Sequence, residues 1–454
     1  MVGSYHRTMN KLSRIVLVAL ALIVTVGFGA SQVRSQVATQ PASHASSQAS
    51  SQASSQVASK PTQSTPRGDA DSGSAKSPKA KRGPGLRYGI ADAPKKTRAI
   101  RLAAYNVQNL CDHVDDPNLS GEWDDMKLAV TEDRAQALAK VIRRLDADVL
   151  FLQEVESQEA LTWFRDTYIK DMGYTYLASL DAGYYRGIEQ SVLSRFPIKN
   201  ARVFLDAKLG TAGGSEPSAD DTKELQNKPD AAVTPAPAQD KAPEDATKFQ
   251  RSPLAVDIEL PDGYVLSAYA IHHKAGGVKF EEHRKAEAAK IIEFVKADLA
   301  KNPDANIVIL GDFNSTPLSQ CRKMYKDAGW LNGYDYRPQE DITKDRNKSL
   351  PQAERDALRE QYTTHESGRP IDYIIISKGF ANEIVPGSYF VLSSLHPGDA
   401  YDWKKDKPPA GYASDHYPIA IEFTPKDAKP KAAKTNDAKP NDAQPKESAP
   451  ADAS

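Results

Sequence analysis

Cysteine is nearly absent from this chain of 454 residues: only Cys111 and Cys321 occur, which excludes a disulfide-dense scaffold and leaves one possible bridge or a pair of buried thiols. A bias of charge is missing too. Lys and Arg number 59 against 60 Asp and Glu, for a formal charge of −1, so the chain lacks the basic signature of a passive nucleic-acid binder. An enzyme needs only a local basic patch, so the balance weighs against simple binding more than against catalysis. Bulky apolar residues are nearly missing from residues 31–96, where Ser, Gln, Ala and Pro dominate, and from 425–454, where Lys, Pro, Ala and Asp alternate. Neither stretch offers enough apolar surface to repay the entropy of ordering, and both are expected to be disordered. One globular block remains, residues 97–424.

The one long apolar run, Ile15 to Ala30, follows Arg7, Lys11 and Arg14 and is followed by polar Ser and Gln. Residues 1–30 therefore read as an export signal, with a short uncleaved anchor as the alternative, since spanning a bilayer takes about 20 apolar residues. Met9 as the start would give a more usual signal length. The expected location is periplasmic or extracellular, and membrane contact is expected only through this segment. No protein partner is indicated, and a monomer is expected.

Within the block, Leu138, Val141, Ile142 and Leu145 recur at helical spacing, predicting an amphipathic helix over Thr131–Leu145. A second helix is predicted at Glu281–Leu299. Consecutive apolar residues at Val149–Leu152 and Ile307–Leu310 predict strands covered on both faces. Further strands are predicted at Arg101–Tyr105, Gln190–Leu193, Leu254–Ile258, Val265–Ile271, Ile371–Ile376 and Ile419–Phe423, so the block is mixed α/β. Residues 208–248 carry no apolar periodicity and read as a polar, disordered insertion, with a surface loop favoured over a substrate lid.

Polar residues cluster at the ends of these runs. Asn106, Glu154, Asp312, Asn314, Asp372, Asp415 and His416 each lie at or just beyond a predicted strand end, where a sheet can converge them on one site. Carboxylates and amides with few thiols suit a hard cation. Singly, each has a plainer explanation: Asp312 can cap a turn, Asn106 can end a strand, and Asp415 with His416 can be a solvated loop.

Five runs, Tyr105-Asn106-Val107-Gln108-Asn109-Leu110, Leu152-Gln153-Glu154-Val155, Gly311-Asp312-Phe313-Asn314, Arg369-Pro370-Ile371-Asp372-Tyr373 and Ser414-Asp415-His416-Tyr417-Pro418-Ile419, resemble in order the signature motifs of the endonuclease/exonuclease/phosphatase superfamily. That resemblance implies a four-layered α/β/β/α sandwich with two mostly antiparallel sheets. It further implies a Mg²⁺ ion, or Mn²⁺ or Ca²⁺, held by Glu154 with Asn106 and Asp415. Asp372 would orient His416 beside the scissile phosphate, Asp312 would align or deprotonate the attacking water, and Asn314 would donate to the phosphate. Whether Asp312 or His416 is the base stays open.

The segment Ala270-Ile271-His272-His273-Lys274 resembles the histidine-bearing strand end of deoxyribonuclease I-like and sphingomyelinase-like members. His272 would then be a general acid supported by Glu189, with His273 as the alternative in a register shifted by one. Arg284 resembles an arginine that contacts phosphate, a surface ion pair being the other reading. The opening Asn-Val-Gln-Asn-Leu followed by Cys111 and Asp112 resembles exported bacterial nucleases, so DNA or RNA is the expected substrate. Sphingomyelin, inositol phosphates and an inactive binding protein are the alternatives; the polar insertion lacks the apolar hairpin expected of a membrane-bound lipid hydrolase.

Overall fold

The structure is a computed structural model, and the residues it describes are 82–210, 247–402 and 405–426. The export segment, most of the Ser- and Gln-rich stretch, the body of the insertion and nearly all of the charged tail lie outside the described residues. Among the described residues the strands are β1 (Gly85–Arg87), β2 (Ile100–Leu110), β3 (Val149–Val155), β4 (Tyr176–Ser179), β5 (Glu189–Ser194), β6 (Ile198–Arg202), β7 (Leu254–Glu259), β8 (Val265–His272), β9 (Asn306–Asp312), β10 (Leu331–Asn332), β11 (Asp372–Ile376), β12 (Phe390–Val391), β13 (Ser394–His396) and β14 (Ile419–Phe423).

Two six-stranded sheets organise the chain, in the orders β12-β14-β2-β3-β5-β4 and β10-β11-β9-β8-β7-β6. Each is antiparallel except for one central parallel pair, β2 with β3 and β8 with β9. Alternate residues of each central strand enter different layers, which is why these runs are apolar on consecutive positions. Phe151 and Val149 face the space between the sheets with Val308, Leu310, Ile374 and Ile421. Leu150 and Leu152 face outward onto Leu138, Ile142, Leu161 and Phe164. On the second sheet Ile307 and Ile309 face outward onto Ile291, Val295 and Tyr325. Three apolar layers separating helix, sheet, sheet and helix make the four-layered sandwich.

The helix Glu132–Leu145 matches its prediction. Thr131 caps its N-terminus by accepting from Arg134 N (3.4 Å), and Asp146 ends it in a left-handed conformation. The helix Glu281–Lys301 lies on the outer face of the second sheet.

Two boundaries are corrected. Residues 82–96, read as disordered linker, belong to the fold: β1 pairs with β13, Ile90 N donates to Val391 O (2.8 Å), and buried Tyr88 packs edge-on against Tyr417 and His396. Backbone pairing and one aromatic ring order this stretch without an apolar run. The insertion is also narrower than 208–248. Leu209 N donates to Thr247 O (2.6 Å) and Lys208 bridges Lys248, so its two ends meet on the domain. Both cysteines are buried and free; Cys111 follows β2 and bridges Ala129, and Cys321 packs in the outer layer of the second sheet.

Candidate active site

Strand register in the second sheet sets half of the site. His272 on β8 and Asp372 on β11 are the cross-strand partners of Asp312 on β9, so three ionisable side chains end adjacent strands side by side. Gly311 permits this approach: with φ of +128°, a Cβ added there would lie 2.2 Å from Ile271 O and 3.1 Å from the Gln153 amide. Asn314, also left-handed at φ +46°, folds back over Asp312. Its N donates to Asp312 Oδ1 (2.7 Å), and its Nδ2 donates to Asp312 Oδ2 (3.1 Å) and His273 O (3.0 Å).

The first sheet supplies the other half through two irregularities at one level. Val155 and Gln153 pair with adjacent residues of β5, which leaves Glu154 as an extra residue at φ +66°. On β2 the register jumps from Asn106 to Leu110, with Gln108 and Asn109 at φ +52° and +55°. Bulges re-aim side chains, and these two turn Glu154 and Asn106 toward the second sheet. Asn106 Nδ2 donates to Glu154 Oε1 (3.1 Å) and Asp312 Oδ2 (3.3 Å), and Asn109 N donates to Glu154 Oε2 (3.1 Å). Among the described residues, four of the eight non-glycine residues with positive φ are thus Gln108, Asn109, Glu154 and Asn314, a concentration of backbone strain at one place.

His416 joins from the loop before β14. Ser414 Oγ donates to Asn106 O (2.8 Å), fixing that loop to β2. His416 Nδ1 lies 2.9 and 3.1 Å from the two Asp372 oxygens, and its Nε2 lies 3.8 Å from Asp312 Oδ2. Glu154 and His416, far apart in sequence, therefore meet through Asp312.

Electrostatics separate the two imidazoles. Burial opposes a proton on His416, but Asp372, Asp312 and Asp415 outweigh it and raise its proton affinity well above the usual range. Burial, followed by the Arg251, His416 and Arg186 charges, holds His272 well below it. His272 Nε2 nonetheless lies 3.3 Å from Asp312 Oδ2 and 3.7 Å from Glu154 Oε1. Burial, with Asp372 next, pushes Asp312 up to about 7.

Several expectations are corrected. Glu189 does not support His272: its carboxylate accepts from Ser179 Oγ (2.6 Å), and His272 Nδ1 is buried without a hydrogen-bond partner. Ser179 and Ser191 are paired across β4 and β5, and Glu189 shares the face of Ser191, so cross-strand geometry sends it there. His273 turns away from the site to Glu287 (3.1 Å) and Tyr325 OH (3.0 Å), which decides the histidine register in favour of His272. Arg284 is spent on Lys274 O, Gly277 O and Glu281, tying down the loop after β8 instead of facing phosphate. Asn314 has its amide hydrogens on Asp312 and His273 O, so in this structure it orients Asp312.

Three residues escaped the sequence. His365 is buried beside His416, with ring centroids 4.6 Å apart and Nε2 3.6 Å from Asp415 Oδ2. Hydrogen bonding to His365 overcomes burial and holds Asp415 down to about 2. The only signal was a histidine seven residues before Asp372. Arg134 donates Nε to Ala413 O (3.1 Å), Nη1 to Asn109 O (3.2 Å) and Nη2 to Val107 O and Gln108 O, clamping the irregular segment of β2. Arg186 donates Nη2 to Asn109 Oδ1 (3.0 Å).

The donor set fits a divalent cation. Glu154, Asp312, Asp372 and Asp415 face His272, His365 and His416, and ligand atoms of Asp312, Asp372 and His416, and of His365, Asp415 and His416, lie within 4.8 Å of one another. Of the expected ligands, Glu154 and Asn106 touch directly. Asp415 is linked to them through Gln108, whose side chain accepts from Asp415 N (3.1 Å) and whose N donates to Asn106 Oδ1 (3.0 Å). Oxygen ligands with one or two carboxylates suit Mg²⁺ or a similar hard ion.

Similar solved structures include the catalytic domain of human Nocturnin with bound sulfate (17% identity, covering 74% of this chain and 97% of that one, TM-score 0.40). They also include a mannosyl-6-phosphatase of Bacteroides thetaiotaomicron (14%, 72% and 99%, TM-score 0.40) and truncated TDP2 of Caenorhabditis elegans (13%, 72% and 98%, TM-score 0.37). No curated protein matches the chain. The family model described as Endonuclease/Exonuclease/phosphatase family matches residues 103–416, most of the domain built above, and the chain belongs to that family of phosphoester hydrolases, which generally depend on a divalent metal.

Proposed function

We propose that this chain is an exported, divalent-metal-dependent phosphodiesterase that cleaves nucleic acid. The observation that carries the reading is the meeting of Asn106 and Glu154 from one sheet with the His272, Asp312 and Asp372 row of the other, closed by His416. Glu154 and Asn106, with Asp415, would hold Mg²⁺, which when bound neutralises a non-bridging phosphate oxygen and the charge developing on the leaving oxygen. Asp312, braced by Asn314, accepts the proton of the attacking water. The His416 cation, fixed by Asp372, pairs with a phosphate oxygen. His272, buried and neutral, steadies the Glu154 and Asp312 oxygens through Nε2.

Export rests on the basic residues and apolar run at the N-terminus, and nucleic acid on the Asn-Val-Gln-Asn-Leu opening and the polar insertion. The purified protein, incubated with plasmid, RNA and a chromogenic phosphodiester in Mg²⁺, Mn²⁺ or Ca²⁺ and then chelator, tests the reading. Metal-dependent cleavage of DNA or RNA is expected. A phosphatase that releases phosphate from monoesters and leaves polynucleotides intact would sink it.

A further inference from the structure

Beside the Glu154 and His272 edge of the site lies a ladder of arginine and aromatic side chains that the catalytic roles do not use. The Arg251 guanidinium sits 4.9 Å from the Tyr184 ring centre, and Arg186 sits 4.1 Å from Trp123 and 5.9 Å from Tyr184. Tyr185 packs against Tyr184 (4.7 Å) and Trp123 (6.1 Å) and is 40% exposed, which makes it the outer rung. The two loops that carry these residues touch: the Leu119 side chain packs over Gly187, at φ +59°, where a Cβ would lie 2.5 Å from it. Trp123, in the turn Gly121–Trp123, lies over Arg186.

Charge gives the ladder its polarity. Among the described residues no carboxylate pairs with Arg186 or Arg251: Arg186 meets Asn109 Oδ1, its Nε is buried without an acceptor, and Arg251 donates to His272 O (3.2 Å) and His273 O (2.7 Å). Arg251 is buried on carbonyls, and Arg134 is held by carbonyls in the same way, so half-buried Arg186, with one amide oxygen as its acceptor, is the guanidinium that calls for an anion from outside. Both are tied to the site itself, Arg186 through Asn109, whose N holds Glu154, and Arg251 through the His272 carbonyl. A polynucleotide offers phosphates at regular spacing with flat bases between them, which matches cations alternating with rings. A lipid headgroup offers no flat ring.

We propose that Trp123, Tyr185 and Arg186 form a stacking subsite for the nucleotide beside the scissile bond, with Arg186 taking its phosphate and the exposed Tyr185 ring, backed by half-buried Trp123, its base, in a single-stranded segment. This rests on the nucleic-acid reading above.

The test uses the full chain in Mg²⁺ or Mn²⁺, on a short single-stranded oligonucleotide and on bis(p-nitrophenyl) phosphate. Trp123→Ala lowers the ratio of kcat/KM on the oligonucleotide to that on the small diester about tenfold, through KM, because base stacking on an aromatic ring is worth about that factor. Trp123→Phe restores most of it. Arg186→Gln flattens the slope of log KM against log salt by roughly 0.7, the value for one phosphate contact on a single strand. If Trp123→Ala fails to fold, Tyr185→Ala on the exposed ring carries the same expectation. Wild-type ratios and salt slopes in the variants of an enzyme that cleaves nucleic acid overturn the subsite alone. A wild-type enzyme that hydrolyses the small diester and leaves every polynucleotide intact overturns the subsite together with the nuclease reading.

Discussion

Replacing Arg134 with Met should weaken both the fold and the metal site, because this side chain holds the irregular segment of β2 from beneath. Its guanidinium serves four backbone carbonyls, those of Val107, Gln108, Asn109 and Ala413, and, among the described residues, no carboxylate. Each carbonyl left without a donor in a buried setting costs roughly 1–3 kcal/mol. Arg134 is half-buried, so water can reach some of the vacated positions. A net loss of about 2–4 kcal/mol follows, at or below the low end of the simple total of about 4–12 kcal/mol. The loss is not evenly felt. Gln108 and Asn109 sit at φ +52° and +55°, conformations that cost about 1–3 kcal/mol each unless held. Once released, they relax and withdraw Asn109 N from Glu154 Oε2. Urea unfolding should therefore show the stability loss in Arg134→Met, and titration with Mn²⁺ should show metal affinity lowered at least about tenfold. Arg134→Lys, with three donors on one charge, should recover part of each. Stability within about 0.5 kcal/mol of wild type, with unchanged Mn²⁺ affinity, would refute the clamp.

Two other perturbations read the electrostatics. Burial pushes Glu189 up to about 7 from a carboxylate's ordinary value near 4.5, so its share of stability is full below that ordinary value and is lost as pH rises through 7, for roughly 3 kcal/mol. Glu189→Gln should gain on wild type by about that amount at alkaline pH in urea unfolding and show a flatter pH profile; parallel profiles would contradict the assignment. Asp372→Asn removes the strongest support for the proton on His416, so in chelator the imidazole should titrate at least about one unit lower by NMR. An unmoved titration would mean that Asp372 does not set the charge of His416.

Much of the sandwich was legible because its central strands are buried on both faces and read as consecutive apolar residues, as at Val149–Leu152 and Ile307–Leu310. Site residues were legible where such runs end in polar side chains. What could not be read depends on pairing across the sheet or on loops. β1 has no apolar run and is ordered by β13, so residues 82–96 looked like linker. The helix Gln158–Tyr168 buries only Ala160, Leu161 and Phe164, too few to mark its period. Glu189 looked like a partner for His272 in sequence, yet the neighbouring strand offers it Ser179 at 2.6 Å. Arg284 sits at the start of a helix and satisfies the carbonyls of the loop before it, which no spacing announces. Arg134 and Arg186 reach the site on long side chains, and His365 through a backbone bridge to His416.

In the proposed reaction the carboxylates and amides gathered around Glu154 hold the cation on which cleavage depends. The most direct measurement is phosphodiester hydrolysis by the wild-type chain and by Glu154→Gln, each in Mg²⁺, in excess chelator, and after Mg²⁺ is restored, with circular dichroism confirming the fold of both. Wild type should cleave, stop and recover, while a folded Glu154→Gln should be slower by at least about a hundredfold in Mg²⁺, before chelation and after Mg²⁺ is restored. Cleavage that survives chelation, or a folded Glu154→Gln as fast as wild type, would contradict the account.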